Sequence, residues 1–153
     1  KSCDLVHVHM ASRGSYLRKK VFIAAAASHK KPVLLHLHGS EFAMWYDEEC
    51  TEGQRRDICQ TFRLCSRIVV LSEEWRDFLL NRRICDIEQV KVLHNAVNIP
   101  GENVTDYTSN TVLFMGRLDE RKSPNVLLRA AARTLPAHPD ARFVFGGDGD
   151  VRA

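Results

Sequence analysis

The sequence predicts an α/β fold built on parallel strands. Two observations carry this. Short apolar runs of strand length recur, such as Val33-Leu34-Leu35 and Val112-Leu113-Phe114-Met115, the latter of the kind found in the middle of a parallel sheet. Between the strands lie helix-length segments with their own start and stop residues, so strand and helix alternate as in βαβ units. No internal repeat or low-complexity segment interrupts the pattern.

In order, Cys3–Met10 is the first strand and Ser12-Arg13-Gly14-Ser15 a turn. A helix follows from about Tyr16 to His29. Lys30 and Lys31 suit the negative end of its dipole, and Pro32 stops it. Phe22 and Ile23, with the surrounding alanines, read as core. Residues 32–38 form the second strand. Gly39-Ser40-Glu41-Phe42 leads towards a helix near Thr51–Leu64, and Arg67–Leu71 is the third strand. Ser72 is an N-cap, with Glu73 and Glu74 in the first turn of a helix that reaches Asn81. Val90–Leu93 is a short fourth strand. His94–Asn110, rich in Pro, Asn, Asp, Thr and Ser, reads as a connector. Thr111–Met115 is a buried strand ended by Gly116. Ser123 offers a hydroxyl N-cap and Pro124 sits at N1 of a helix through Leu135. Ala141–Phe145 is the last strand, followed by Gly146-Gly147-Asp148-Gly149-Asp150.

The net charge of +3 is too small and too dispersed to argue for nucleic acid. No apolar run approaches the ~18 residues that span a bilayer, and no signal peptide is visible after Lys1. Five cysteines, Cys3, Cys50, Cys59, Cys65 and Cys85, form no C-x-x-C pair and are odd in number. They read as free thiols in a reducing compartment.

In open parallel sheets ligands bind at the carboxyl ends of the strands. Four such ends carry polar groups here: His9 with Ser12–Ser15, His36 and His38 with Gly39-Ser40, Ser72 with Glu73, and Gly116-Arg117. Arg117 and Lys122 sit in a strand-to-helix loop beside a helix N-terminus, which already favours anions, so they point to a phosphate or diphosphate. Arg13, Arg18, Lys19 and Lys20 crowd a helix start, where the dipole repels them unless an anion is near. A phosphate-bearing acceptor, an anionic membrane surface or plain solvation answers that. His7-x-His9 and His36-x-His38 could each offer two imidazoles on one strand face. No third ligand follows at a characteristic spacing, so no metal is expected there. Asp148-Gly149-Asp150 is formally a D-x-D, but Gly-Gly-Asp-Gly reads first as a tight turn.

Residues 111–149 resemble the start of the C-terminal domain of family 4 glycosyltransferases, which have the two-domain GT-B architecture. The likeness lies in Val112–Leu118, Lys122, Leu127-Leu128-Arg129-Ala130-Ala131 and Phe143–Gly149. The family usually has glycine after the lysine; here it is Ser123, which can also cap a helix. The N-terminal part is similar to a subgroup of the family through Val8–Ser15 with Arg18-Lys19, Leu35–Phe42 and Val70–Trp75. The resemblance implies retaining transfer of a sugar from a nucleotide diphosphate sugar, without a metal cofactor. It makes His38 the candidate catalytic residue near the sugar or acceptor. Gly116, Arg117 and Lys122 become the candidate diphosphate-binding residues, and Arg13, Ser15 and Arg18 candidate acceptor or phosphate contacts.

The expectation is therefore a part of a GT-B enzyme with Rossmann-like parallel sheets. Residues 1–95 are the later part of an acceptor-side domain, 96–110 a connector, and 111–153 the start of a donor domain. Two such domains need about 300 residues, so these residues alone should be inactive. The implied setting is cytoplasmic, at the inner face of a membrane, with a saccharide or lipid-linked acceptor and peripheral membrane contact. The rival readings are a non-catalytic nucleotide- or phosphate-binding α/β module and a metal-dependent hydrolase.

Overall fold

The computed structural model describes residues 3–99, 101 and 108–150. Residues 100 and 102–107 of the expected connector, and 151–153 of the expected donor domain, lie outside the described residues. The chain divides into two compact units, Lys1–Asn98 and Ile99–Ala153.

The first unit holds β1 (Val6–Met10), α1 (Gly14–Ser28), β2 (Val33–Leu37), α2 (Phe42–Met44), α3 (Glu52–Arg63), β3 (Arg67–Val70), α4 (Glu73–Asn81) and β4 (Val90–Val92). A π-type turn, Trp45–Glu49, continues α2. The four strands are all parallel, in the order β1-β2-β3-β4. Side chains two apart share a sheet face. Val8, Leu35, Ile68 and Val90 align across the strands and are all buried, as are Met10, Leu37 and Val70. Burying one such side chain contributes about 1.5–3 kcal/mol. The opposite face carries the row His9, His36, Val69, Lys91.

Local chemistry explains the helix ends. Thr51 Oγ1 accepts from Gln54 N–H while Gln54 Oε1 accepts from Thr51 N–H, a reciprocal capping box. Ser72 Oγ accepts from Trp75 N–H, as its position predicts. One expectation for α1 is corrected. Ile23 is fully buried, but Phe22, one position round the helix, is 62% exposed. At the helix end His29 Nδ1–H donates to the Ala25 carbonyl at 2.8 Å, and the Lys30 and Lys31 backbone N–H groups donate to the Ala27 and Ala26 carbonyls, each at 2.9 Å. All five cysteines are free thiols, with Cys50, Cys65 and Cys85 buried. No described helix is long and apolar enough to cross a membrane.

The second unit holds β5 (Thr111–Met115), α5 (Pro124–Thr134) and β6 (Arg142–Gly146), with β5 and β6 parallel. The expectation of a buried β5 is corrected, since Leu113 is 59% exposed and Met115 74%. Phe114 and Phe145, opposite each other in register, have ring centroids 5.7 Å apart. The Ser123 cap is also corrected. Ser123 is left-handed, at φ 52° and ψ 50°, and makes no side-chain cap. Its Oγ–H donates instead to the Glu120 carbonyl at 2.8 Å.

Candidate functional site

Each unit places candidate residues at the carboxyl ends of its strands. In the first unit the loops after β1 and β2 lie against each other. A Cβ on Gly39 would fall 2.9 Å from Ala11 Cα, so the approach requires glycine. His38 N–H donates to the Met10 carbonyl at 2.8 Å and fixes the end of β2 beside β1.

Arg13 sits in these loops at φ 51°. Its guanidinium pairs with Glu41, and its Nε–H donates to Glu49 Oε2 at 2.9 Å. The Arg13 hydrogen bond holds the Glu49 carboxyl below its usual range. Ser15 Oγ accepts from Ala11 N–H at 3.0 Å, and Arg18 is exposed. Arg13 and Ser15 thus hold the loop together. Glu41 and Glu49 carry no sequence signal for this, because their partner lies 28 and 36 residues away.

The second feature of this rim is a set of four imidazoles. Register places His9 opposite His36, with His7 two residues back on the same face and His38 at the end of β2. His9 Nδ1 and His38 Nε2 lie 2.8 Å apart in a hydrogen bond. The His7 and His36 rings stack with centroids 5.8 Å apart, and those of His36 and His38 are 4.0 Å apart. One ligand atom from each of His7, His9 and His36 lies within 4.8 Å of the other two. Burial, and then the neighbouring imidazoles, lower the His36 and His38 pKa values below the ordinary histidine value. Sequence spacing leaves each His-x-His pair without a third ligand; the adjacent strand supplies one.

In the second unit, β5 and β6 end in loops joined backbone to backbone. Gly116 N–H donates to the Gly146 carbonyl at 2.9 Å, and Leu118 N–H to the Asp148 carbonyl at 3.0 Å. A Cβ on Gly147, at φ 154°, would fall 1.8 Å from Gly116 O, and one on Gly149 would fall 2.2 Å from Leu118 O. Only glycine permits this approach. Arg117 and Lys122 both meet Asp119, which no sequence motif singles out. Arg117 Nε is 3.1 Å from Asp119 Oδ2, and Lys122 N–H donates to Oδ1 at 2.9 Å. Gly116, Arg117 and Lys122 thus share one loop, with both cationic side chains exposed.

A family model described as Glycosyltransferase Family 4 matches residues 1–99. The chain belongs to glycosyltransferase family 4. It is 26% identical over 163 residues to a putative glycosyltransferase, YtcC, of Bacillus subtilis, covering 95% of this chain and 37% of that protein. It is 29% identical over 110 residues to a D-inositol 3-phosphate glycosyltransferase of Corynebacterium kroppenstedtii, covering 58% of this chain and 23% of that one. A third relative, of Campylobacter jejuni, is named as an alpha-1,4-N-acetyl-D-galactosaminyltransferase acting on a PP-undecaprenol-linked saccharide. It is 29% identical over 134 residues, covering 85% of this chain and 35% of its own length. This family 4 chain therefore spans less than two-fifths of these relatives. Its fold is similar to that of TarM, with a TM-score of 0.69 at 19% identity, over 95% of this chain and 28% of TarM. A Staphylococcus aureus TarM structure with UDP, alpha-GlcNAc-glycerol and fondaparinux matches with a TM-score of 0.62 at 20% identity, over 80% of this chain and 24% of that one. That likeness shows the fold: parallel-sheet α/β of the GT-B type.

Proposed function

We propose that this chain is part of a retaining glycosyltransferase that moves a hexosyl unit from a nucleotide diphosphate sugar to a saccharide or lipid-linked acceptor in cell-surface glycan synthesis. The observation that carries the reading is the glycine-dependent loop pair of β5 and β6, with Arg117 and Lys122 exposed on it beside the start of α5. Family membership supports it, as do the UDP held in the TarM complex and the undecaprenol-linked saccharide in the name of the Campylobacter relative.

The hard step breaks the bond between the sugar carbon and the diphosphate. Negative charge develops on the leaving oxygen, and fixed cations there lower the barrier. One cation about 4 Å away contributes roughly 4 kcal/mol at an effective dielectric near 20. Arg117 offers a planar fork for bidentate contact and Lys122 a compact charge, so the step needs no divalent ion. His38 is assigned to the sugar or acceptor. Its Nε2 is engaged by His9, so its Nδ1 is the atom left for that contact. Arg18 is an exposed cation suited to an anionic acceptor or membrane surface. The enzyme works in the cytoplasm at the inner face of the membrane, and residues 1–153 alone are inactive.

The test is Arg117→Ala in the full-length protein, with transfer from radiolabelled nucleotide sugars as the readout. Transfer is expected to slow by about 10²–10³-fold, as on losing an oxyanion donor. Unchanged turnover removes Arg117 from the mechanism. Nucleotide binding with no sugar release by the full-length protein would favour the non-catalytic module.

A further inference from the structure

The four-histidine cluster on the β1–β2 face plays no collective part in the reaction above. We propose that His7, His9 and His36 form a binding site for a transition-metal dication of the zinc, cobalt, nickel or copper class, with His38 orienting His9.

The donor set comes from the strand register. His7 and His9 stand two apart on β1, and His36 is opposite His9 on β2, so three backbone-fixed positions converge on one face. Their ligand atoms already lie within 4.8 Å of one another. A tetrahedral metal with metal–nitrogen bonds of about 2.0–2.1 Å needs them roughly 3.3 Å apart. His7 is exposed, so turning its ring closes the gap without moving the sheet or the His9–His38 contact.

A second observation points to a ligand. His36 Nε2 is buried and has no hydrogen-bond partner among the described residues. Buried polar nitrogens are almost always paired, and this one lies among imidazoles. A cation gives its lone pair a partner.

The His9–His38 contact completes the arrangement. Metal-bound histidines ordinarily donate their other ring N–H to a neighbour, which fixes tautomer and orientation. With Nδ1–H of His9 donating to His38 Nε2 across the 2.8 Å contact, His9 Nε2 keeps a free lone pair for the metal. The same bond makes His38 Nε2 an acceptor and leaves the proton on its Nδ1. Occupancy would therefore select one tautomer of His38.

The ligand class follows from the donors. Three imidazole nitrogens suit borderline cations and do not suit magnesium or calcium, which take oxygen ligands. The three ligands leave a fourth position for water. The proposal stands independently of the transferase reading.

The experiment titrates the chain, free of any histidine tag and treated with chelator, with Co²⁺ alone. One Co²⁺ per chain should bind, with the visible absorption of nitrogen ligation. Zn²⁺ should displace it and Mg²⁺ should not. His7→Gln and His36→Gln should each weaken binding at least tenfold, and His38→Gln by about 10–100-fold as an orienting partner. Circular dichroism should report an intact fold in each. Failure of Co²⁺ to bind stoichiometrically overturns the proposal. So does binding unchanged in both folded His7→Gln and His36→Gln variants, or binding that depends on His29, His94 or His138.

Discussion

Arg117 and Lys122 are tied to the two oxygens of a single carboxylate, that of Asp119: Oδ2 lies 3.1 Å from Arg117 Nε, and Oδ1 accepts the Lys122 backbone N–H at 2.9 Å. The Arg117 side chain is 69% exposed and that of Asp119 21%. An ion pair this open contributes about 0–1 kcal/mol to stability, so its effect is on position. It aims Arg117 and holds the turn that presents Lys122. Asp119→Ala in the full-length protein should slow transfer by up to about 10²-fold, the scale of a misplaced group, with stability nearly unchanged. Asp119→Asn can still accept the Lys122 N–H and should recover part of the rate. Wild-type rates in both variants would show that Asp119 positions nothing.

Ser123 follows Lys122 in a left-handed conformation, which costs a residue with a Cβ about 1–2 kcal/mol. Glycine, usual at this place in the resembling family, adopts it freely. The serine hydroxyl returns part of the cost through its bond to Glu120 O. Ser123→Gly should therefore stabilise the second unit by about 0.5–1 kcal/mol, read as a higher denaturant midpoint. A lower midpoint would mean that the hydroxyl bond outweighs the backbone strain.

Ser123 also shows how far a sequence can be read. Ser72 followed by Glu73 signals a helix start through local chemistry, and the structure places the cap there. Ser123-Pro124 carries the same signal, but the turn set by Asp119 forces a conformation in which the hydroxyl cannot cap. Both His-x-His pairs are visible in the chain. Their convergence depends on β1–β2 register, which links residues 27 apart and leaves no local trace. Phe22 beside Ile23 reads as core by composition, yet only one stripe of α1 reaches the sheet. Trp45 and Tyr46 are buried by packing against Phe42 and Phe78, so their turn is set by distant partners. The alternation of strands and helices, by contrast, is written in runs of adjacent residues.

Asp57 links α3 to α1. Lys20 Nζ donates to its Oδ2 at 2.8 Å and Tyr16 Oη–H to the same oxygen at 2.6 Å. The Lys20 bond, then the Tyr16 bond, hold its carboxyl below the usual carboxylate range. A depressed folded-state pKa adds stability at pH above the unfolded value, near 3.9, and that stability is lost as pH falls through the folded value. Asp57→Asn should lower stability at neutral pH and flatten the acid limb of the stability curve below about pH 4. Parallel curves for wild type and variant in that range would remove Asp57 from the acid response.

Gly147 is where the loops of β5 and β6 come closest. Its φ of 154° and the 1.8 Å approach of a built Cβ to Gly116 O leave alanine no place without parting the strand ends. A residue forced into such glycine-only backbone costs on the order of 1–3 kcal/mol before the clash is counted. Parting the ends breaks the bond from Gly116 N–H to Gly146 O and moves Arg117, the next residue. Gly147→Ala should therefore lower stability by at least that amount and, in the full-length protein, slow transfer towards the Arg117→Ala level. Gly53→Ala, where a Cβ meets only Thr51 Oγ1 at 3.9 Å, is the control and should retain the wild-type rate. A Gly147→Ala protein as stable and as fast as that control would show that the close approach of the two loops does not position the cations.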